Sequence, residues 1–253
     1  MSSSVSISGG GGGDAAGHVP RVVRPNFFVA VQISNNEIHK NIIRVQKALI
    51  KFDQALAKAL VDVATSHVTL LLARIDDENT LSLARSALND FYKEFGKDWK
   101  SLKLTFSGLD HFSNKVLYAR VVKDENHRQF LHTAYTLRRV FERKGINLIN
   151  NTLHPHLTIA KMSKIPPSWE GEPSSGPEEI EPQSYATYKD LYFGDQTISG
   201  LQLLAMNRPK DAKRYFYCCE EIRFENFLHN YDDDDHSQCC FPPRSFNFNV
   251  NSQ

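Results

Sequence analysis

The chain has 253 residues, 41% of them hydrophobic, with 30 basic and 29 acidic side chains and a formal net charge of +1. That length and apolar content suffice for one large core or two tightly packed lobes. The near-neutral balance, without a polybasic block, excludes a surface that binds duplex nucleic acid by charge alone, so a nucleotide partner has to be held locally.

Residues 1–24 are rich in Ser and Gly, and the opening MSSSVSISGGGGGDAAGHVP has neither the basic start nor the apolar run of a signal peptide. Ser2 in place of Gly argues against N-myristoylation, and nowhere do eighteen apolar residues follow one another. The expectation is a disordered tail over 1–24 and a domain over 25–226, in a soluble protein of the cytoplasm or nucleus with no membrane partner.

Within the domain, Phe27 to Ile33 is a dense β-prone run, and Asn35 and Asn36 then offer caps for a helix with Ile42, Val45, Leu49 and Phe52 at helical spacing. A strand from His67 to Ala73 follows, then a helix in which Leu83, Ala87, Leu88 and Phe91 share a face. LKLTF (102–106) and VLYARV (116–121) read as a strand pair. A third helix carries Phe130, Ala134, Leu137 and Phe141 on one stripe and stops at Gly145, which suits a C-cap. After a strand from His156 to Ala160, the Pro-, Gly- and acid-rich stretch 166–184 reads as a mobile surface loop. Two strands around Ile198–Ala205 and Tyr215–Arg223 close the domain. An acidic tail over 227–253, with Asp232 to Asp235 and Pro242-Pro243, is too polar to offset ordering entropy.

The order β-α-β-α-β-β-α-β, with β-β to finish, belongs to the α/β (α+β) class and carries a weak internal duplication. Each half leads a helix into a strand that begins His-x-Thr: HVTL at 67–70 and HLTI at 156–159. Side chains alternate along a strand, so His67 with Thr69, and His156 with Thr158, share a face, while Val68, Leu70, Leu157 and Ile159 turn to the core. A strand that spends one face on imidazole and hydroxyl suits phosphodiester chemistry. Imidazole, titrating at about 6.5, can take a proton from the attacking oxygen or give one to the leaving oxygen. Threonine hydroxyls can donate to non-bridging phosphate oxygens.

Around this constellation, Lys161 follows the second motif and could attract a phosphate, and Phe28 or Tyr118 could stack on a base. His154 would share the face of His156 if that strand starts early. Arg138, Arg139, Arg143 and Lys144 read as the solvated face of an amphipathic helix. The cysteines come as adjacent pairs, Cys218-Cys219 and Cys239-Cys240, without the CxxC-like spacing of a zinc site, and read as reduced thiols.

These residues resemble a known family. The paired HVTL and HLTI motifs are similar to the HxTx motifs of the 2H phosphoesterase superfamily. PNFFVAV, SHVTLLL, FERKGI, PHLTIAKMSK, YFGDQTISGLQLLAM and RYFYCCEEI resemble its A-kinase anchor protein 7-like phosphoesterase domain, over about residues 24–225. The resemblance implies a bilobed fold with two pseudo-twofold-related lobes, each a mainly antiparallel sheet with packed helices. It also implies metal-independent action on 2′,5′-linked oligoadenylate or RNA 2′,3′-cyclic phosphate ends; the further expectation is a monomer without cofactor that binds short RNA and AMP-like nucleotides. His67 and His156 would be the acid/base pair, and Thr69 and Thr158 the phosphate-binding hydroxyls. Protein kinase A anchoring is not carried over, because the tail offers no apolar stripe at i, i+3, i+4 and i+7 for a helix-in-groove partner. The competing reading is a nucleotide- or RNA-binding module without turnover, or a signalling adaptor.

Overall fold

Three capped amphipathic helices and two antiparallel sheets are seen in the computed structural model, which describes residues 23–96, 101–149, 152–165 and 177–224. The two predicted tails, apart from residues 23 and 24, lie outside these residues, as do 225–226 at the end of the predicted domain and 166–176 of the predicted loop.

The first helix, α1 (Asn36–Phe52), starts where the Asn35 side chain accepts from the Glu37 N–H at 2.8 Å, and it buries Ile38, Ile42, Val45 and Leu49. Phe52, expected on that face, is half exposed, because the stripe ends at Leu49 and the chain turns away at Asp53. In α2 (Glu78–Phe91), capped by Asp77, the buried positions are Leu81, Ala84, Ala87, Leu88 and Phe91. Leu83, predicted to share their face, is 44% exposed, since the three- and four-residue steps from 81 to 91 leave it on the outer side. Asp124 caps α3 (Glu125–Arg143), and Gly145 ends it with φ +75°, a conformation that favours glycine.

The strands are β1 (Phe27–Gln32), β2 (His67–Arg74), β3 (Leu102–Phe112), β4 (Val116–Val121), β5 (Asn147–Ile149), β6 (His156–Lys161), β7 (Tyr192–Ile198), β8 (Gly200–Ala205) and β9 (Tyr217–Arg223). They form one sheet of order β5-β2-β1-β8-β9 and another of order β6-β4-β3-β7, with every pairing antiparallel. The motif strands hold equivalent places. β2 lies beside β1 and β6 beside β4, and each partner strand leads into a helix that comes before its motif strand. Each of those helices also packs on the opposite sheet, α1 against β6 and β7, and α3 against β2 and β5 as well as β3.

β5 and β7 were not foreseen. Three residues are too few to show a period, and Gly194 with Asp195 interrupts the β-prone pattern of β7. Between β7 and β8 only Ser199 intervenes, so what reads as one late strand crosses from one sheet to the other. The near half of the predicted loop is also docked: Ile180 is 1% exposed and a 3-10 helix spans Pro182–Tyr188.

One apolar cluster joins both sheets and all three helices, so the two lobes share a core. The first sheet carries a second, smaller cluster of Phe28, Ala30, Leu204 and Tyr215 on its opposite face, and this face bears His67.

Candidate functional site

Both motif strands show the same burial alternation, with His and Thr partly open and the next residues closed: His67, Val68, Thr69, Leu70 and His156, Leu157, Thr158, Ile159. Both are bulged at the same step. Ala30 pairs with Thr69 but Val29 with Leu71, and Tyr118 pairs with Thr158 but Leu117 with Ala160, so Leu70 and Ile159 are the extra residues. A bulge inverts the alternation that follows it, which lets Leu70-Leu71 and Ile159-Ala160 be buried in succession. Past the second bulge, Lys161 falls in the position held by Leu72 in the first strand, on the side of the histidines.

The two imidazoles are held identically. His67 Nδ1 lies 2.7 Å from the Thr65 carbonyl and His156 Nδ1 lies 2.6 Å from the His154 carbonyl, in each case two residues upstream. A carbonyl only accepts, so each Nδ1 carries the proton and each Nε2 is left to take or give one. β2 and β6 are in contact, and the charge of His156 is felt at His67. Burial is the main cause that pushes the His67 pKa down to about 4, opposed by the Thr65 carbonyl and reinforced by His156 and Lys161. Burial also lowers His156, with its own carbonyl bond opposing and His154 and Lys161 adding to the effect. Lys161 therefore acts on both rings. Among the described residues neither the Thr69 nor the Thr158 hydroxyl is engaged in a hydrogen bond.

The outer edge of β6 is closed by the chain leading from α1 to β2. Leu60 bridges Ala160, Val61 N donates to Ile159 O at 3.0 Å, and buried Gln46 donates to both Val61 O (2.7 Å) and Ile159 O (3.1 Å). The approach to the first motif is thereby tied to the second.

The expected base-stacking aromatics have another place. Phe28 is 2% exposed and its ring packs 4.9 Å from that of His67, with Phe216 edge-on at 5.0 Å, so it supports the imidazole and offers no open face. Tyr118 is 3% exposed, and its hydroxyl lies 3.4 Å from His154 Nε2. The more open rings are Phe216, 5.4 Å from His67, and Phe112, 5.1 Å from His156, so each imidazole has one beside it. Neither was singled out in the sequence: Phe112 lies beyond the predicted strand LKLTF, and Phe216 was read only as part of the strand around Tyr215–Arg223. His154 is exposed and its ring sits among Phe112, Tyr118 and His156.

Of the predicted solvated cations, Arg138 pairs with Glu142, while Arg143 with Glu94 and Lys144 with Asp90 tie α3 to the end of α2 and the turn after it. Cys218 and Cys219 are free thiols whose pKa burial pushes up to about 12 and about 11; Cys239 and Cys240 lie outside the described residues. Among the described residues no group of three His, Cys, Asp or Glu is arranged to hold a metal ion, and no helix is long and apolar enough to cross a membrane.

Comparison with known proteins agrees with this arrangement. The family described as AKAP7 2′5′ RNA ligase-like domain matches residues 25–224. Human A-kinase anchor protein 7 isoform gamma is 32% identical over 203 residues, which cover 79% of this chain and 57% of that protein. The chain thus spans little more than half the length of that relative. E. coli LigT, solved with 3′-AMP, superimposes with a TM-score of 0.51 at 15% identity, over 79% of this chain and 98% of that one. The protein TT0787 of Thermus thermophilus gives 0.51 at 18% identity, over 79% and 97%. The paired HxT strands, the two antiparallel sheets and the match over nearly the whole described domain make this chain a member of the AKAP7 2′5′ RNA ligase-like domain family, within the 2H phosphoesterase superfamily.

Proposed function

We propose that the protein is a metal-independent phosphodiesterase that cleaves 2′,5′-linked oligoadenylate or opens RNA 2′,3′-cyclic phosphate ends, acting as a monomer in the cytoplasm or nucleus. The observation that carries the reading is the matched pair of imidazoles, each with Nδ1 on the carbonyl two residues upstream and Nε2 uncommitted. In 2′,5′ cleavage the ribose 3′-hydroxyl attacks phosphorus. The O3′–P bond forms as the P–O5′ bond breaks, and a 2′,3′-cyclic phosphate and a free 5′-hydroxyl result. His67, held neutral down to about 4, takes the proton from O3′, and His156 delivers one to O5′. Thr69 and Thr158 donate to the non-bridging oxygens, and Lys161, whose charge reaches both rings, draws the phosphate in. Phe112 and Phe216 flank the pair and supply faces for the two nucleobases.

The complex of LigT with 3′-AMP supports nucleotide binding for this fold. It also favours the second reading, a binding module without turnover that serves as an adaptor, as the word anchor in the human relative's name suggests. The deciding experiment incubates the protein in EDTA with 2′,5′-triadenylate and, separately, its 3′,5′ isomer, and identifies the phosphate-bearing ends of the products. Cleavage that leaves cyclic phosphate ends, undiminished by EDTA, supports the enzyme; binding without any turnover of either isomer, or of a cyclic-phosphate end, leaves the adaptor.

A further inference from the structure

The face that carries His156 and Thr158 continues past them across the second sheet. Arg120 stands opposite His156 in the β4–β6 register, and Tyr118 opposite Thr158. The Arg120 side chain does not turn back toward His156. It lies over β3 at Gly108, where a Cβ would come 2.1 Å from one guanidinium nitrogen, so a side chain there would push the guanidinium aside. Gly108 also has φ +76° and sits in an irregularity of β3. Strands are about 4.8 Å apart, so the guanidinium is held roughly two spacings, about 10 Å, from the strand of His156, a separation on the scale of one nucleotide.

This guanidinium lines a cavity of about 650 Å³ shared with Lys123, His127 and His154 on its polar side and Val122, Leu131 and Leu153 on its apolar side. The volume falls within the range of small-ligand sites. Among the described residues neither Arg120 nor Lys123 enters an ion pair. The one acid of the lining, Asp110, accepts from the His111 N–H and is hydrogen-bonded to the Tyr118 hydroxyl, and nearby Asp124 is taken up in capping α3. The cavity therefore presents two cations, a fork of donors and a point charge, against the single carboxylate of Asp110 and beside an apolar wall, which suits a phosphate carried on a nucleoside. Burial, with help from Lys123, lowers the pKa of His127 in this lining.

We infer that this cavity is a second nucleotide subsite, which takes the phosphate of the unit adjoining the scissile linkage on Arg120 and Lys123 and its ribose or base against Val122, Leu131 and Leu153. The inference rests on the proposed phosphodiesterase site and deepens it: the preferred substrate is an oligonucleotide with a flanking phosphate, in preference to an isolated cyclic mononucleotide.

The test measures equilibrium binding to His156→Ala protein, which blocks turnover, of 2′,5′-diadenylate without terminal phosphates and with a phosphate at the 5′ or the 2′ end, together with AMP. One of the phosphorylated forms is expected to bind about tenfold more tightly than the unphosphorylated one. Arg120→Gln with Lys123→Gln is expected to bring that ratio to about one, and to reduce the dependence of log K on log salt by about one unit. If AMP and the diadenylate bind but neither terminal phosphate adds affinity, or the gain survives in the double variant, the subsite is wrong while the central site stands. If none of the ligands binds, the central reading fails and takes the subsite with it.

Discussion

Replacing His67 with Asn removes a titrating group but keeps a donor, Asn Nδ2, where Nδ1 meets the Thr65 carbonyl. The effect on stability should depend on pH, and the sign follows from the depressed pKa. An unfolded histidine titrates at about 6.5, whereas His67 in the fold titrates at about 4. Between those values the unfolded chain holds more protons, so wild-type stability rises with pH in this window; the contribution is intact above about 6.5 and is lost as the pH falls toward 4. At pH 5 the unfolded imidazole is about 97% charged and the folded one about 9%, which costs the wild type about 2 kcal/mol relative to pH 7. The Asn variant lacks that term. Urea unfolding of both proteins at pH 7 and pH 5 is expected to show the variant less stable at pH 7, through lost packing on Phe28 and Phe216, and the gap reduced by about 2 kcal/mol at pH 5. An equal gap at both pH values would refute the buried, neutral His67.

The same groups set the rate profile. With His67 as the accepting and His156 as the donating imidazole, kcat/KM should peak below pH 6.5, with an acid limb near 4 from His67 and an alkaline limb as His156 loses its proton; a plateau across pH 7–9 would contradict the assignment. Phe28→Ala should cost about 3–5 kcal/mol of stability in denaturant unfolding and lower kcat more than it raises KM, because the ring it removes lies against His67 and not in the open groove. A selective loss of nucleotide affinity would instead restore Phe28 as a stacking residue. Gln46→Leu should cost about 1–3 kcal/mol, since the Val61 carbonyl loses its Gln46 donor while Ile159 O keeps the Val61 N–H, and a thermal or urea melt without change would mean that this tie does not hold the edge of β6.

Much of the site could be read before any fold was known, because a period-two alternation shows directly in HVTL and HLTI. The strands, their inward Val68, Leu70, Leu157 and Ile159, and the partly open His and Thr all follow from it. What alternation cannot reveal is its own interruption. The bulges at Leu70 and Ile159 decide that Lys161 returns to the histidine side, and they arise from pairing with β1 and β4, which are distant in the chain. Phe28 was misplaced for a related reason: its position on the motif face is correct, but β8 and the segment with Tyr215 and Phe216 cover it, and that cover depends on strand order. Arg120 carries no signal of its own in VLYARV, and gains one only when β3 brings Gly108 beneath it. The helix predictions erred at Leu83 and Phe52 because apolar residues at the ends or flank of a stripe fit the spacing without being reached by the opposing sheet.

In the proposed chemistry His67 and His156 act on one phosphodiester as a unit. That joint action is tested most directly by single-turnover rates on 2′,5′-triadenylate for His67→Ala, His156→Ala and the double variant. Groups that work in one step are grossly non-additive, so each single change is expected to lower the rate about as far as both together. Losses that multiply in the double variant, or a single variant that keeps near wild-type turnover, would contradict a shared step.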